Sequence, residues 1–97
     1  MNMQAMMAQA QKMQRDIKKK QEELSRKEFK STNEFVEVLM NGDKELLSFK
    51  ILNKKLDEED VEVLEDMISV ALKDVISQID KETEASLGQF SGLNGLI

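Results

Sequence analysis

Phe35-Val36-Glu37-Val38-Leu39-Met40-Asn41-Gly42-Asp43-Lys44-Glu45-Leu46-Leu47-Ser48-Phe49-Lys50-Ile51 is two apolar runs on either side of a turn signal. Valine, isoleucine and phenylalanine favour a pleated surface, and Asn-Gly-Asp-Lys marks the reversal between two strands. A two-residue Asn-Gly loop would set Val38 opposite Glu45 and Met40 opposite Asp43, which wastes the apolar face. A four-residue loop, 41–44, instead pairs Val38 with Leu47, Val36 with Phe49 and Leu39 with Leu46. A slip of one residue inverts every side chain, so the four-residue loop is the expected register. It leaves Phe35, Leu39 and Leu46 on the face opposite Val36, Val38, Leu47 and Phe49. A hairpin apolar on both faces needs cover on both, and one chain has little left to supply it. Lys27 to Ser31, around Phe29, are expected to add a short strand, giving two to three strands within 29–52.

Working outward, residues 3–28 read as one long helix. Gly and Pro are absent from this segment, and Ala, Met, Gln, Lys and Glu are strong helix formers. Met3, Met6, Ala10, Met13, Ile17 and Leu24 fall at heptad steps, interrupted where Lys20 and Lys27 take positions expected to be apolar. Such a rod, roughly 39 Å long at 1.5 Å per residue, cannot bury its stripe on itself. Residues 57–86 form a second helix, with Asp57 as N-cap and Asp60 at its third position. Val61, Leu64, Met67, Ile68, Ala71, Val75, Ile76 and Ile79 follow helical spacing without a gap. Residues 87–97 hold three of the four glycines and are expected to be a flexible tail. The whole, 1–97, is a single α+β domain: long helix, small antiparallel sheet, long helix. Its core is marginal for a monomer, so a homodimer is expected, with Phe35, Leu39, Leu46, Met67 and Val75 as candidate contacts.

Charge is segregated along this order. Up to Lys30 the chain carries eight basic residues (Lys12, Arg15, Lys18, Lys19, Lys20, Arg26, Lys27, Lys30) against four acidic, a net of +4. The remainder carries six basic and fifteen acidic, a net of −9, and the chain as a whole −5. Salt screens surface charge beyond roughly 10 Å, so the N-terminal field is local and the overall acidity does not cancel it. There is no Cys or His, which removes disulfides, thiol chemistry, the usual zinc sites and most nucleophile–base pairs. No carboxylate pair has a base, nucleophile or phosphate loop beside it, so neither catalysis nor a cofactor is expected. No apolar run approaches the roughly 18 residues of a membrane span. The charges follow the Met-rich start rather than precede it, unlike a signal peptide. A cytoplasmic, non-enzymatic protein without a membrane or small-molecule partner is the expectation.

The basic residues of the first helix admit two readings. They could grip phosphates, since Lys12, Arg15 and Lys19 share one face that Arg26 and Lys30 extend. They could equally be a solvated face whose lysines pair with Glu22, Glu23 and Glu28. No aromatic is interleaved, which argues against recognition of single strands or RNA by stacking. Asp57-Glu58-Glu59-Asp60 lacks the spacing of a calcium loop and suits the dipole of a helix start. The Met-rich stripe is either a dimer seam or an adaptable partner surface; on the second reading the chain is a prefoldin-like chaperone module.

Met6-Met7-Ala8-Gln9-Ala10-Gln11-Lys12-Met13-Gln14 resembles the Met-x-x-Gln-Ala-Gln-x-Met-Gln opening of the YbaB/EbfC nucleoid-associated proteins. Val36-Glu37-Val38-Leu39-Met40-Asn41-Gly42 is similar to their Val-x-Val-x-x-Asn-Gly strand, and Leu64-Glu65-Asp66-Met67 with Ala71 and Lys73-Asp74 looks like their C-terminal helix. The three pieces come in order and cover roughly residues 3–93. The resemblance implies an α–β–β–β–α fold, a homodimer with projecting helices, and double-stranded DNA binding of low sequence specificity in the bacterial cytoplasm and nucleoid. It makes the basic face the DNA contact and leaves DNA repair or replication proteins as further candidate partners. Where the family carries several glycines before the second strand, this chain has Ser31-Thr32-Asn33-Glu34, and its tail lacks the family's proline.

Overall fold

A computed structural model describes residues 2–88. The chain runs α1 (Met3–Arg26), β1 (Glu28–Thr32), β2 (Val36–Asn41), β3 (Leu46–Ile51), one 3-10 turn (Glu58–Asp60) and α2 (Val61–Leu87). This is the expected α+β class, and the short strand around Phe29 is present. All but the first two residues of the expected tail, 87–97, lie outside the described residues.

The helix ends follow local chemistry. Asn2 caps α1, its side-chain oxygen accepting from the Gln4 N–H at 3.0 Å. Lys27 turns extended, and its N–H closes onto the Leu24 carbonyl. The helix therefore stops two residues short of the expected 28, because Glu28 is already needed as the first residue of β1. The expected reciprocal cap forms on the 3-10 turn, Asp57 accepting from Glu59 N–H and Asp60 from Asp57 N–H, so the α-helix proper starts at Val61 rather than at the expected 57.

The sheet is antiparallel in the order β1-β2-β3. Its hairpin corrects the expected register: Val36 lies opposite Ile51, Val38 opposite Phe49, Leu39 opposite Ser48 and Met40 opposite Leu46. Two features produce this. Asn41 and Glu45 close the turn, with Asn41 Oδ1 accepting from the N–H groups of Asp43 and Glu45, and Lys44 adopting a left-handed φ of 62°. The loop thus has three residues, 42–44, rather than four. A bulge then leaves Leu47 without a partner. The bulge puts Leu46 on the same face as Val36, Val38 and Met40, and the opposite face becomes polar (Glu37, Ser48, Lys50) apart from Leu39. The hairpin is not apolar on both faces, and only one needs cover.

α2 provides that cover for β1 and β2. Leu24, Phe29, Val36, Val38, Met40, Ala71, Val75 and Ile79 form the core, with Leu64, Ile68, Leu72 and Ile76 packed around it. Val36 and Val38 are wholly removed from solvent, each contributing about 1.5–3 kcal/mol. β3 lies beyond the reach of α2, and Leu46, Phe49 and Ile51 stay exposed, Leu46 to 56%.

The β1–β2 connection shows why the absent glycines are not missed. Asn33 Oδ1 accepts from the N–H groups of Phe35 and Val36, and its Nδ2 donates to the Met67 carbonyl of α2, all at 3.0 Å. A side chain thereby fixes the reversal and ties it to the helix. Asn33→Ala removes all three bonds and is expected to lower stability by about 2 kcal/mol, read as a shift in the urea midpoint; an unchanged midpoint would show that the turn holds itself.

Candidate nucleic-acid interface

α1 runs about 36 Å at 1.5 Å per residue and is anchored to the body only near its C-terminal end. Leu24 is its one buried residue, and Ile17 and Ser25 are half-buried. The molecule measures 71 × 21 × 15 Å as a result. The anchor is tight: a Cβ on Gly42 in the hairpin turn would stand 1.8 Å from the Leu24 carbonyl oxygen. In the sequence Gly42 reads only as turn chemistry. Its second role, as the surface against which α1 ends, comes from tertiary packing.

Of the eight candidate cations, Lys12, Arg15, Lys18, Lys19, Lys20 and Arg26 are exposed along α1. Lys12, Arg15, Lys19 and Arg26 recur at steps of three, four and seven and share one face. Met3, Met6, Ala10, Met13 and Ile17 form the other stripe; Lys19 follows Ile17 by two positions, about 200° round the helix. The two stripes are therefore back to back, and packing of the methionines would leave the cations outermost.

The remaining cations are placed differently from the expectation. The helix ends before Lys30, so Lys30 does not extend the stripe; it sits on β1 with its Nζ 3.7 Å from Glu37. Lys27 bonds Glu82 at 2.7 Å and lies 5.7 Å from the Phe29 ring centre. Lys20 turns toward α2, lining a cleft of about 190 Å³ with Glu23, Leu24, Lys27, Glu82 and Ser86. Among the described residues the ion pairs are Lys27–Glu82, Lys30–Glu37 and Lys44–Asp80. None lies within α1, so the pairs of Lys18 and Lys19 with Glu22 and Glu23 that a merely solvated face would show do not form. The cations of the stripe form no ion pair among the described residues.

Two carboxyls of α2 are perturbed. Lys27, by its hydrogen bond and its charge, holds Glu82 below the ordinary 4.5, with burial opposing. The Ser31 hydroxyl, then the Gln78 amide, hold Asp74 below 3.8. A depressed carboxyl stabilises the fold fully above its ordinary value and loses that contribution as pH falls through its lowered value. Glu82→Gln should accordingly lose less stability than the parent as pH falls below the ordinary glutamate value of 4.5. Parallel acid limbs in a denaturation series would show that the Lys27 pair carries no such linkage.

The candidate dimer residues are not brought onto one surface. Val75 is in the subunit's own core with no exposed area, because it faces Val36 and Val38 in the layer between α2 and the sheet. Leu39 is on the polar face of the sheet, Leu46 at its uncovered edge, Phe35 half-buried against the core and Met67 half-buried on α2. Along and just after β3, Leu46, Leu47, Phe49, Ile51 and Leu52 are all exposed apolar residues. No described helix is long and apolar enough to cross a membrane. Among the described residues no group of three or more acidic side chains is disposed to hold a metal ion.

Residues 1–94 match the sequence profile of the YbaB/EbfC DNA-binding family. A nucleoid-associated protein of Streptococcus agalactiae serotype III is 44% identical over 94 residues, 95% of both chains. One from Streptococcus pyogenes serotype M5 is 43% identical over 94 residues, again 95% of both. One from Enterococcus faecalis is 42% identical over 92 residues, 93% of this chain and 88% of the relative.

Proposed function

We propose, because this chain belongs to the YbaB/EbfC DNA-binding family, that it is a non-catalytic nucleoid-associated protein of the cytoplasm whose projecting α1 helices hold duplex DNA by its phosphates. The observation that carries this reading is the unpaired stripe Lys12, Arg15, Lys19 and Arg26 on the outward side of a helix anchored at one end. Phosphate contacts position a protein on the duplex without reading its sequence, which makes the affinity for unrelated duplexes similar. The acidic body repels the same phosphates, so each contact has to be made along α1. Lys18 flanks the stripe, while Lys20, turned toward α2, and Lys27 and Lys30, each beside a carboxylate, contribute less.

The working unit is a homodimer. The uncovered edge at Leu46, Phe49, Ile51 and Leu52 supplies apolar surface that a second copy would bury. Doubling α1 doubles the phosphates reached. DNA repair or replication proteins are further candidate partners.

Electrophoretic shifts on unrelated duplexes across a salt series, beside sizing of the free protein, test this. The logarithm of affinity should fall against the logarithm of salt with a slope of about −0.9 per phosphate contacted. A retained complex near about half-molar salt would instead belong to an apolar grip by the methionine stripe, and a single subunit on sizing would remove the doubled helix.

A further inference from the structure

The surface of α1 between its methionine stripe and its cationic stripe differs on the two sides. On one side Asp16 and Glu23, seven residues apart, put carboxylates beside the cations. On the other stand Gln4, Gln11, Gln14 and Lys18, with exposed Met7 among them and Arg15 at the boundary; at about 100° per residue they fall within roughly one quadrant. Gln11, Gln14, Arg15 and Lys18 line a shallow depression of about 350 Å³ on this flank. The strip closes at Glu22, nearer the body.

These amides are unspent. Among the described residues, none of the glutamines of α1 engages its side chain in a hydrogen bond within the chain. Gln78 of α2 does, donating to the Lys30 carbonyl and to Asp74. A glutamine on a solvated helix needs no partner, but two of them one turn apart, beside an arginine and clear of carboxylates over that stretch, present a defined set of donors and acceptors. A glutamine amide matches the N6 and N7 edge of adenine, which is displayed in the major groove. A helix about 10–12 Å across fits that groove, about 12 Å wide. The phosphates themselves choose which way the helix rolls: Asp16 and Glu23 are repelled by the backbone, whereas Lys12, Arg15 and Lys19 are drawn to it. The Gln11–Gln14 flank is then the one turned to the groove floor.

We propose that Gln11 and Gln14 read purine edges in the major groove and give the complex a sequence preference superimposed on phosphate binding, while Arg15 and Lys18 beside them stay on the backbone. This rests on α1 being the duplex-binding element. Phosphate contacts set how much DNA is held; the glutamine flank sets where the protein pauses on it.

The test is selection from a pool of duplexes with a randomised core, by the full chain and by Gln11→Ala/Gln14→Ala. Alanine is the strongest helix former, so α1 is kept. The parent should enrich a purine pattern roughly tenfold or more over the pool, the scale of one good bidentate base contact. The variant should retain a similar total of DNA with that enrichment gone. Replacing the purines of the enriched duplex by 7-deaza analogues, which lack N7 but keep every phosphate, should lower retention by the parent roughly tenfold and leave the variant unmoved. Retention of the pool without enrichment, the same pattern from the variant, or indifference to 7-deazapurines overturns the base reading and leaves phosphate binding standing. No retention of any duplex overturns both.

Discussion

Changing Lys12, Arg15 and Lys19 together to glutamate should lower affinity for duplex DNA by about three orders of magnitude at near-physiological salt. On the proposed reading three cations per subunit would make six phosphate contacts in a dimer, and loss of six would reduce the salt slope by about five. Reversal goes beyond loss, since each glutamate then faces a phosphate. The fold should be untouched: all three side chains are exposed, none is in an ion pair, and α1 is held to the body by Leu24 far from them. Filter retention or gel shifts, with sizing as the control, read the outcome. A variant that binds as the parent does would make the stripe a solvated surface. A control triple of Lys44, Lys54 and Lys55, on the body, should change affinity far less, because these stand among the acidic residues that repel the duplex.

The second large effect is expected far from any cation. Gly42→Ala places a methyl group 1.8 Å from the Leu24 carbonyl oxygen, well inside contact distance. The obstacle is main chain, which cannot swing away as a side-chain tip can. Either the hairpin turn or the end of α1 has to move, at about 2–3 kcal/mol for an overpacked site, or roughly 10 °C in melting temperature for a domain of this size. Because Leu24 is the buried anchor of the projecting helix, the displacement also changes the direction in which α1 leaves the body. Thermal melting reads the first consequence and small-angle scattering the second. Unchanged melting would mean that the turn and the helix end are not in contact in solution. The backbone at Gly42 is not left-handed, so the effect comes from the close approach rather than from glycine's conformational freedom.

Both effects bear on what a residue pattern can convey. The heptad steps of Met3 to Ile17, the period-two runs at 35–40 and 46–51 and the gapless stripe from Leu64 to Ile79 each depend on near neighbours, and each formed the expected element. The face shared by Lys12, Arg15 and Lys19 is equally local. Lys30 was misplaced because its position relative to α1 depends on where the helix stops, and that is decided by β1 pairing with β2. The register failed at Leu47: a single unpaired residue carries no signature of its own, and the left-handed φ at Lys44 lacks the glycine that usually marks it. Val75 could be recognised as apolar and helical, but not as facing its own sheet rather than a partner.

The elements, their order and the segregation of charge follow from local residue patterns, because periodicity, capping and composition act over a few residues and need no knowledge of what lies opposite. Tertiary structure alone decided the rest. It set which strand is left uncovered, which cations face outward and where α1 is anchored. Those outcomes depend on excluded volume between segments remote in the chain, such as Gly42 against Leu24 and Asn33 against Met67, and no local pattern encodes such meetings.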